Sequence, residues 1–268
     1  MRKGVEKYAI QLQENKAIEF AGLNFYPLTM REYMVYRMAA TAIELLQSSL
    51  PPKLARMSWI HCLDEMDKLG EKSVFLTSVM LVIAKALRLS PAAGPGGVPE
   101  YQIFPLRNKD SGELTAIFIR EHEVILTVQQ MDEIRLILAA QNDYSIPDES
   151  WNRELVEAQQ YLAAQKEPNL KTELDAWVYS VAVNSGRDSD EIWDWPIRKF
   201  KGFEKAIDRT LGYQIYTLAQ AAGFVKFENG VPYPTWKFDK ISSLPYGFKE
   251  LGQLEAKAKG VLPTPSQM

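Results

Sequence analysis

The chain contains very few of the residues that build metal and redox sites. Its 268 residues include one cysteine, Cys62, and two histidines, His61 and His122. A single cysteine permits no disulfide within the chain, and these three residues cannot complete a structural zinc site, which needs four ligands. We therefore expect no metal site and no cofactor.

Long apolar runs and an excess of one charge are also missing. The most apolar run, residues 74–84, has about eleven residues, whereas a membrane-spanning helix needs about twenty, so we expect a core helix there. The first residues lack the apolar segment of a signal peptide, which favours synthesis in the cytoplasm. A formal net charge of −3 disfavours a nucleic-acid binder and a protein held on anionic membranes.

Motifs of catalysis and phosphate binding are absent as well. His61 and Cys62 are adjacent, and adjacent side chains of a helix point about 100° apart, so they are not expected to act as base and nucleophile. The glycine-rich residues 94–97 lack the Lys-Ser/Thr pair and the helix that follow in a phosphate loop. The sequence therefore predicts no catalytic residue and no enzyme.

Two acidic groups and one basic strip raise the question of ligand binding. The acidic groups are Asp64, Glu65 and Asp67, and Asp188, Asp190 and Glu191; the strip is Arg198, Lys199, Lys201, Lys205 and Arg209. Clustered carboxylates suit Mg²⁺, and basic residues with aromatic rings among them suit nucleic acid. We favour plainer interpretations: a solvated face for the first acidic group, a helix cap for the second, and the outer face of an amphipathic helix for the strip.

Hydrophobic residues make up 46% of the chain and aromatic residues 11%, enough for a sizeable core. Their spacing predicts an α+β fold that is mainly α, a helical bundle with short β-hairpins and a long C-terminal helix as its spine. The predicted regions are a hairpin with three helices (1–90), a Gly- and Pro-rich loop or linker without regular structure (91–99), a small sheet with helices (100–227), and a tail rich in proline and aromatic residues (228–268).

The predicted spine follows a capped corner. Asp188 can cap a short helix, Pro196 suits the first position of the next helix, and Gly223 suits its end. Between them, apolar residues recur at steps of three and four: Ile197, Phe200, Phe203, Ile207, Leu211, Ile215, Leu218 and Ala222. We expect this apolar face to be buried along the whole helix.

Two junctions between a strand and a helix look alike. Thr29 and Thr127 each follow a leucine, each can cap a helix, and each is followed eight residues later by an arginine, Arg37 or Arg135. Internal duplication and convergence of a common junction both explain this likeness.

Six aromatic residues are candidates for protein binding: Trp193, Trp195, Tyr213, Tyr216, Trp236 and Phe238. Such residues belong to the core more often than to an interface, but exposed aromatic residues anchor partners. From Asn229 onward, five prolines accompany the aromatic residues of the tail, so the tail is expected to lie either on its own domain or on a partner.

Four segments carry a resemblance to a known family. They are Phe25-Tyr-Pro-Leu-Thr-Met-Arg-Glu-Tyr33, Asp190-Glu-Ile-Trp-Asp-Trp-Pro-Ile-Arg-Lys-Phe200, Leu211-Gly-Tyr-Gln-Ile-Tyr216 and Ala221-Ala-Gly-Phe-Val-Lys-Phe227. Over about half of the chain, it resembles proteins of the tail-assembly modules of phages and prophages of Gram-positive bacteria, in particular the tail assembly chaperones. The resemblance implies a non-enzymatic helical protein that binds the tape-measure protein or tail-tube subunits during assembly.

Three functional hypotheses result. The first is an interaction protein of phage tail or particle assembly, and the alternative is a structural component of the virion in the tail, the baseplate or the capsid. The last is an enzyme whose site no motif reveals. The first two place the protein in the host cytoplasm or in the virion, with phage structural or assembly proteins as partners, no membrane, and a homo-oligomer left open.

Overall fold

The chain is mainly helical, with small antiparallel sheets, so the predicted mixed and mainly α class is confirmed. The computed structural model describes residues 6–70, 74–93, 99–144, 146 and 173–222. The chain divides into two compact units, one of residues 1–158 and 167–205, and one of residues 159–166 and 206–268. The structure describes residues 206–222 of the second unit.

The described residues form nine α-helices and seven strands. The helices are α1 (Ala9–Gln13), α2 (Tyr33–Ile43), α3 (Pro52–Ala55), α4 (Trp59–Leu69), α5 (Phe75–Ala86), α6 (Val128–Asn142), α7 (Leu174–Ser185), α8 (Ser189–Trp193) and α9 (Ile197–Ala221). The strands are β1 (Ile18–Phe20), β2 (Leu23–Phe25), β3 (Ala92–Ala93), β4 (Pro99–Glu100), β5 (Ile103–Arg107), β6 (Leu114–Ile119) and β7 (Val124–Thr127).

Helix α5 lies in the core of the first unit, as its apolar sequence predicts. Val79, Val82 and Ile83 are fully buried, and α5 packs mainly on α2 and α4. None of the helices that the structure describes combines the length and the apolar content that crossing a bilayer requires.

The strands pair as the turn residues predict. Strands β1 and β2 form a hairpin around Ala21 and Gly22, both with positive φ. Strands β5, β6 and β7 form the small sheet predicted for residues 100–227. Its first turn closes at Gly112 with φ +69° and is held by the Asn108 side chain. Glycine suits such a turn because it adopts positive φ without steric cost.

The predicted capping box at Thr29 is present and Thr127 forms a second one, but the arginines of the two junctions differ. Thr29 and Thr127 each cap a helical turn with the residue three positions later. Arg37 is exposed, whereas Arg135 is buried and donates through Nε to the carbonyl of Ile43 at 2.9 Å. The two arginines therefore have different structural roles.

The segment 91–99 carries regular structure at both ends, where the sequence predicted none. Ala92 pairs with Glu100 and Ala93 with Pro99 in a short antiparallel ladder. Proline is tolerated here because it begins a strand of two residues. Both sides of this segment belong to the first unit. Residues 94–98 lie outside the described residues, as do residues 147–172 of the predicted region 100–227.

Helix α9 has the predicted length but not the predicted burial. Asp188 caps α8 by accepting from the amide of Asp190 at 2.8 Å, and α9 follows directly after Pro196. Its first turns are buried. Leu211, Ile215 and Leu218, however, are 43%, 65% and 69% exposed, so the expectation that they are buried is wrong and the spine is not confirmed. Periodicity identifies the apolar face of a helix but not whether another element covers it.

Candidate functional site

Two of the segments that carry the family resemblance contact each other, although about 165 residues separate them. The amide of Ile197 donates to the carbonyl of Leu28 at 2.9 Å, and the amide of Met30 donates to the carbonyl of Trp195 at 3.0 Å. These hydrogen bonds form an isolated antiparallel bridge. The two segments therefore hold the start of α9 against the junction that precedes α2.

An exposed ion pair lies beside this bridge. Arg31 Nε donates to Asp194 Oδ1 at 2.6 Å, and the hydrogen bonds from Arg31 lower the pKa of the Asp194 carboxyl. Both side chains are exposed, and such pairs contribute little stability. The backbone bridge, rather than this pair, holds the two segments together.

The predicted aromatic binding residues lie in different environments. Trp195 is only 4% exposed; its ring packs on Phe203 at 4.6 Å, and its Nε1 donates to Glu191 at 3.2 Å. Trp193 and Tyr213 are half-buried. The Tyr216 side chain, Trp236 and Phe238 lie outside the part of the chain that the structure describes. Trp195 thus packs within the chain, while the structure leaves the other five as predictions.

The lysines of the basic strip make contacts within the first unit. Lys199 lies 3.9 Å from the Trp195 ring centroid, Lys201 donates to the hydroxyl of Tyr36, and Lys205 pairs with Asp143 at 3.3 Å. Burial lowers the pKa of Lys201. Lys199 and Lys201 are therefore half-buried rather than on the expected outer face, whereas the Lys205 side chain is 62% exposed, as expected.

The first acidic group is structural, and the expected solvated face is wrong for its first member. Asp64 is buried and accepts from Arg107 Nη1 at 2.8 Å; the hydrogen bonds from Arg107 lower the pKa of its carboxyl. Asp67 caps α5 by accepting from the amides of Phe75 and Leu76, both at 2.9 Å. The described residues contain no group of three or more histidine, cysteine, aspartate or glutamate residues arranged to hold a metal ion.

His61 and Cys62 also take structural positions. The Nε2 of His61 contacts the carbonyl of Leu114, which can only accept, so this nitrogen carries the proton. Its Nδ1 forms a hydrogen bond of 3.0 Å with the Ser58 hydroxyl. Cys62 is buried, and burial raises the pKa of its thiol, which disfavours the reactive thiolate.

A groove opens where α7 turns into α8. Its volume is about 580 Å³; one wall consists of Tyr179, Ala182 and Val183, and its end consists of Arg187 and the start of α8. Gly186, with φ +64°, makes the left-handed turn that places α8 only three residues after α7. The apolar wall faces solvent: Tyr179 is 54% exposed and Val183 is 82% exposed. We call this site the α7–α8 groove.

The sequence analysis did not identify this groove, because α7 is apolar on several sides. Val178 and Val181 are buried, whereas Tyr179 and Val183 are exposed, although all four are hydrophobic. A pattern of period 3.6 cannot distinguish a buried face from an exposed one when both are apolar. The i, i+4 spacing of Tyr179 and Val183 is the only local signal.

A second open surface belongs to α9 within the second unit. Leu211, Ile215 and Leu218 recur at steps of four and three, which places them on one side of the helix. The sequence carries no charged residue from 210 to 222. We call these three residues the uncharged face.

Comparison of the chain with protein-family models, with curated proteins and with solved structures finds no match in any of the three.

Proposed function

We propose that this chain is a non-enzymatic, chaperone-like interaction protein of phage tail or particle assembly, and that it binds its partner through the α7–α8 groove. The observation that carries the proposal is the exposed pair of Tyr179 and Val183 on the wall of this groove. Two apolar side chains one helical turn apart are the usual anchors when a partner helix or segment docks along a helix. A partner that covers them removes apolar surface from water, at about 25 cal/mol per Å².

The polar end of the groove indicates which charged residue the partner carries. Arg187 reaches Glu191 at 3.8 Å, and their side chains are 58% and 47% exposed, so this ion pair is weak. The guanidinium can therefore exchange Glu191 for a carboxylate of the partner, in the bidentate geometry that arginine favours. We infer a partner segment with an apolar side chain for the wall and an acidic residue for Arg187.

The identity of the partner rests on the family resemblance. One of the segments that carry it begins at Asp190, directly after the residues that close the groove. The resemblance implies the tape-measure protein or the tail-tube subunit as the bound protein.

Co-purification tests this proposal. The chain is co-expressed with the products of the neighbouring reading frames, and affinity is then measured by calorimetry for the parent, Val183→Asp and Asn184→Asp. Both positions are exposed on α7 and receive the same charge, but only Val183 lines the groove. We expect at least a tenfold loss of affinity for Val183→Asp and parental affinity for Asn184→Asp.

Equal affinities of the two variants would contradict the groove as the binding site. Detection of the chain in purified mature particles would instead favour the alternative function, a structural component of the virion.

A further inference from the structure

The uncharged face of α9 consists of three exposed apolar residues, and no charged residue follows Arg209 within the helix. Exposed helix surfaces normally carry charged side chains, whereas the cores of protein interfaces are depleted of them. Residues 210–222 include only apolar, small and uncharged polar residues, and the exposed neighbours of the face are Thr210, Gln214 and Thr217. The occupant of this face is therefore also apolar and uncharged.

A second copy of this chain presents a surface of that kind. An isologous interface requires that the same patch complement itself about a twofold axis. Leu211 lies four residues before Ile215, and Leu218 lies three residues after it, so the face is nearly symmetric about Ile215. An antiparallel copy places its Leu218 beside Leu211 and its Ile215 beside Ile215.

The charges just before the face select the antiparallel orientation. In a parallel pair, Asp208 would lie near Asp208 of the second copy and Arg209 near its Arg209, and like charges repel. In an antiparallel pair, these residues lie at opposite ends and meet the uncharged end of the other helix. The two helix dipoles then also oppose each other, which is the favourable arrangement.

We propose that the uncharged face of α9 binds the same face of a second copy of this chain, antiparallel and centred on Ile215. The helix from residue 210 to 221 is about 18 Å long, and three side chains cover much less than the roughly 800 Å² per partner of a standard interface. The dimer is therefore weak and forms reversibly as the concentration rises.

Sedimentation velocity of the full chain across a wide concentration range tests the proposal. We expect a rise from the monomer mass of 30.5 kDa toward twice that mass. Ile215→Asp places two like charges at the twofold axis and is expected to keep the chain monomeric at every concentration. Thr217→Asp introduces the same charge at an exposed position beside the face and serves as the control, with parental self-association. Leu218→Asp repeats the test if Ile215→Asp does not fold.

Disulfide trapping tests the orientation. Cys62 is buried, so cysteines introduced at exposed positions dominate the reaction. A mixture of Leu211→Cys and Leu218→Cys chains is expected to form the mixed disulfide at least tenfold more than either self-disulfide, because antiparallel pairing brings residue 211 beside residue 218.

Three results would overturn the proposal: a monomer mass up to the highest concentration, a dimer that survives both Ile215→Asp and Leu218→Asp, or preferential self-disulfides. If the chain stays monomeric and a cysteine introduced at position 215 also resists thiol labelling, then another segment of the same chain covers the face.

Discussion

The amide of Ile197 donates to the carbonyl of Leu28 at 2.9 Å and joins two segments that lie far apart in the sequence. Both segments belong to the set on which the family resemblance rests, and both of these residues are fully buried. Their contact assigns these residues a role in folding: they place the start of α9 beside α2. The α7–α8 groove, which we propose as the binding site, ends directly before the second of these segments rather than within it.

The first prediction concerns the two tryptophans of the second segment. Trp195→Ala should lower the free energy of unfolding by about 3–5 kcal/mol, because it removes a buried ring and leaves a cavity. Trp193→Ala should cost clearly less, since Trp193 is half-buried. Urea denaturation of both variants measures the difference. Equal losses would mean that Trp195 is not a core residue.

The second prediction concerns the pH dependence of stability. The carboxyl of Asp64 has a folded pKa below its ordinary value of 3.8, so its ionised form stabilises the fold above about pH 4. This contribution is lost as the pH falls from that value through the lower folded pKa. Asp64→Asn should therefore cost about 1.5–3 kcal/mol at pH 7, the usual range for a hydrogen bond to a charged group, and the difference from the parent should shrink below pH 4.

Glu65→Gln is the control for this experiment. Glu65 contacts Lys68 at 2.7 Å on the same helix turn but is more exposed than Asp64, so its loss should change stability by less than about 0.5 kcal/mol. A pH-independent difference between the parent and Asp64→Asn would show that the Arg107 pair does not stabilise the fold.

The third prediction concerns the cap of α6. Thr127 Oγ1 accepts from the amide of Gln130 at 3.3 Å, and the Gln130 side chain accepts from the amide of Thr127 at 2.8 Å. Thr127→Ala should cost about 1 kcal/mol, whereas Thr127→Ser keeps the hydroxyl and should remain close to the parent. Thermal melts compare the two. Similar losses of stability in both variants would show that the methyl group of Thr127, rather than its capping hydroxyl, stabilises the helix.

The sequence predicted these local features well because their signals are local. A threonine three residues before Glu32 or Gln130, and a glycine at 112 or 186, determine a cap or a turn through their own backbone. The confirmed class, hairpins and helix ends all depend on signals of this kind. Such signals do not depend on which distant residues pack against the helix or strand.

Burial of individual side chains could not be predicted in the same way. Asp64 has an ordinary sequence context, and its partner, Arg107, lies 43 residues away in the sequence. Tyr179 and Val183 resemble core residues in sequence and are exposed. Whether such residues are buried depends on how distant segments pack against them. The spacing of apolar residues and the amino-acid composition do not determine that packing.

The fourth prediction concerns two glycines within α9. A Cβ at Gly202 or Gly212 would meet no atom within 4 Å, apart from its own chain neighbours. Gly202→Ala and Gly212→Ala should each raise the free energy of unfolding by about 0.5–1 kcal/mol, because alanine loses less backbone entropy in a helix. Helix content and melting temperature measure the gain. A loss of stability in either variant would indicate that the helix is distorted at that glycine.

The last prediction separates the two ends of α9. Phe200 is fully buried, with its ring edge-on to Trp177 at 4.8 Å, so Phe200→Ala should cost about 3–5 kcal/mol. Leu211 is exposed, and Leu211→Asp should cost less than about 1 kcal/mol, since the carboxylate stays in water and only helix propensity is lost. Chemical denaturation at a concentration low enough to keep the chain monomeric makes this comparison independent of self-association. If Leu211→Asp instead lowered the free energy of unfolding by several kcal/mol, Leu211 would be buried, as the spacing of the apolar residues in α9 predicts.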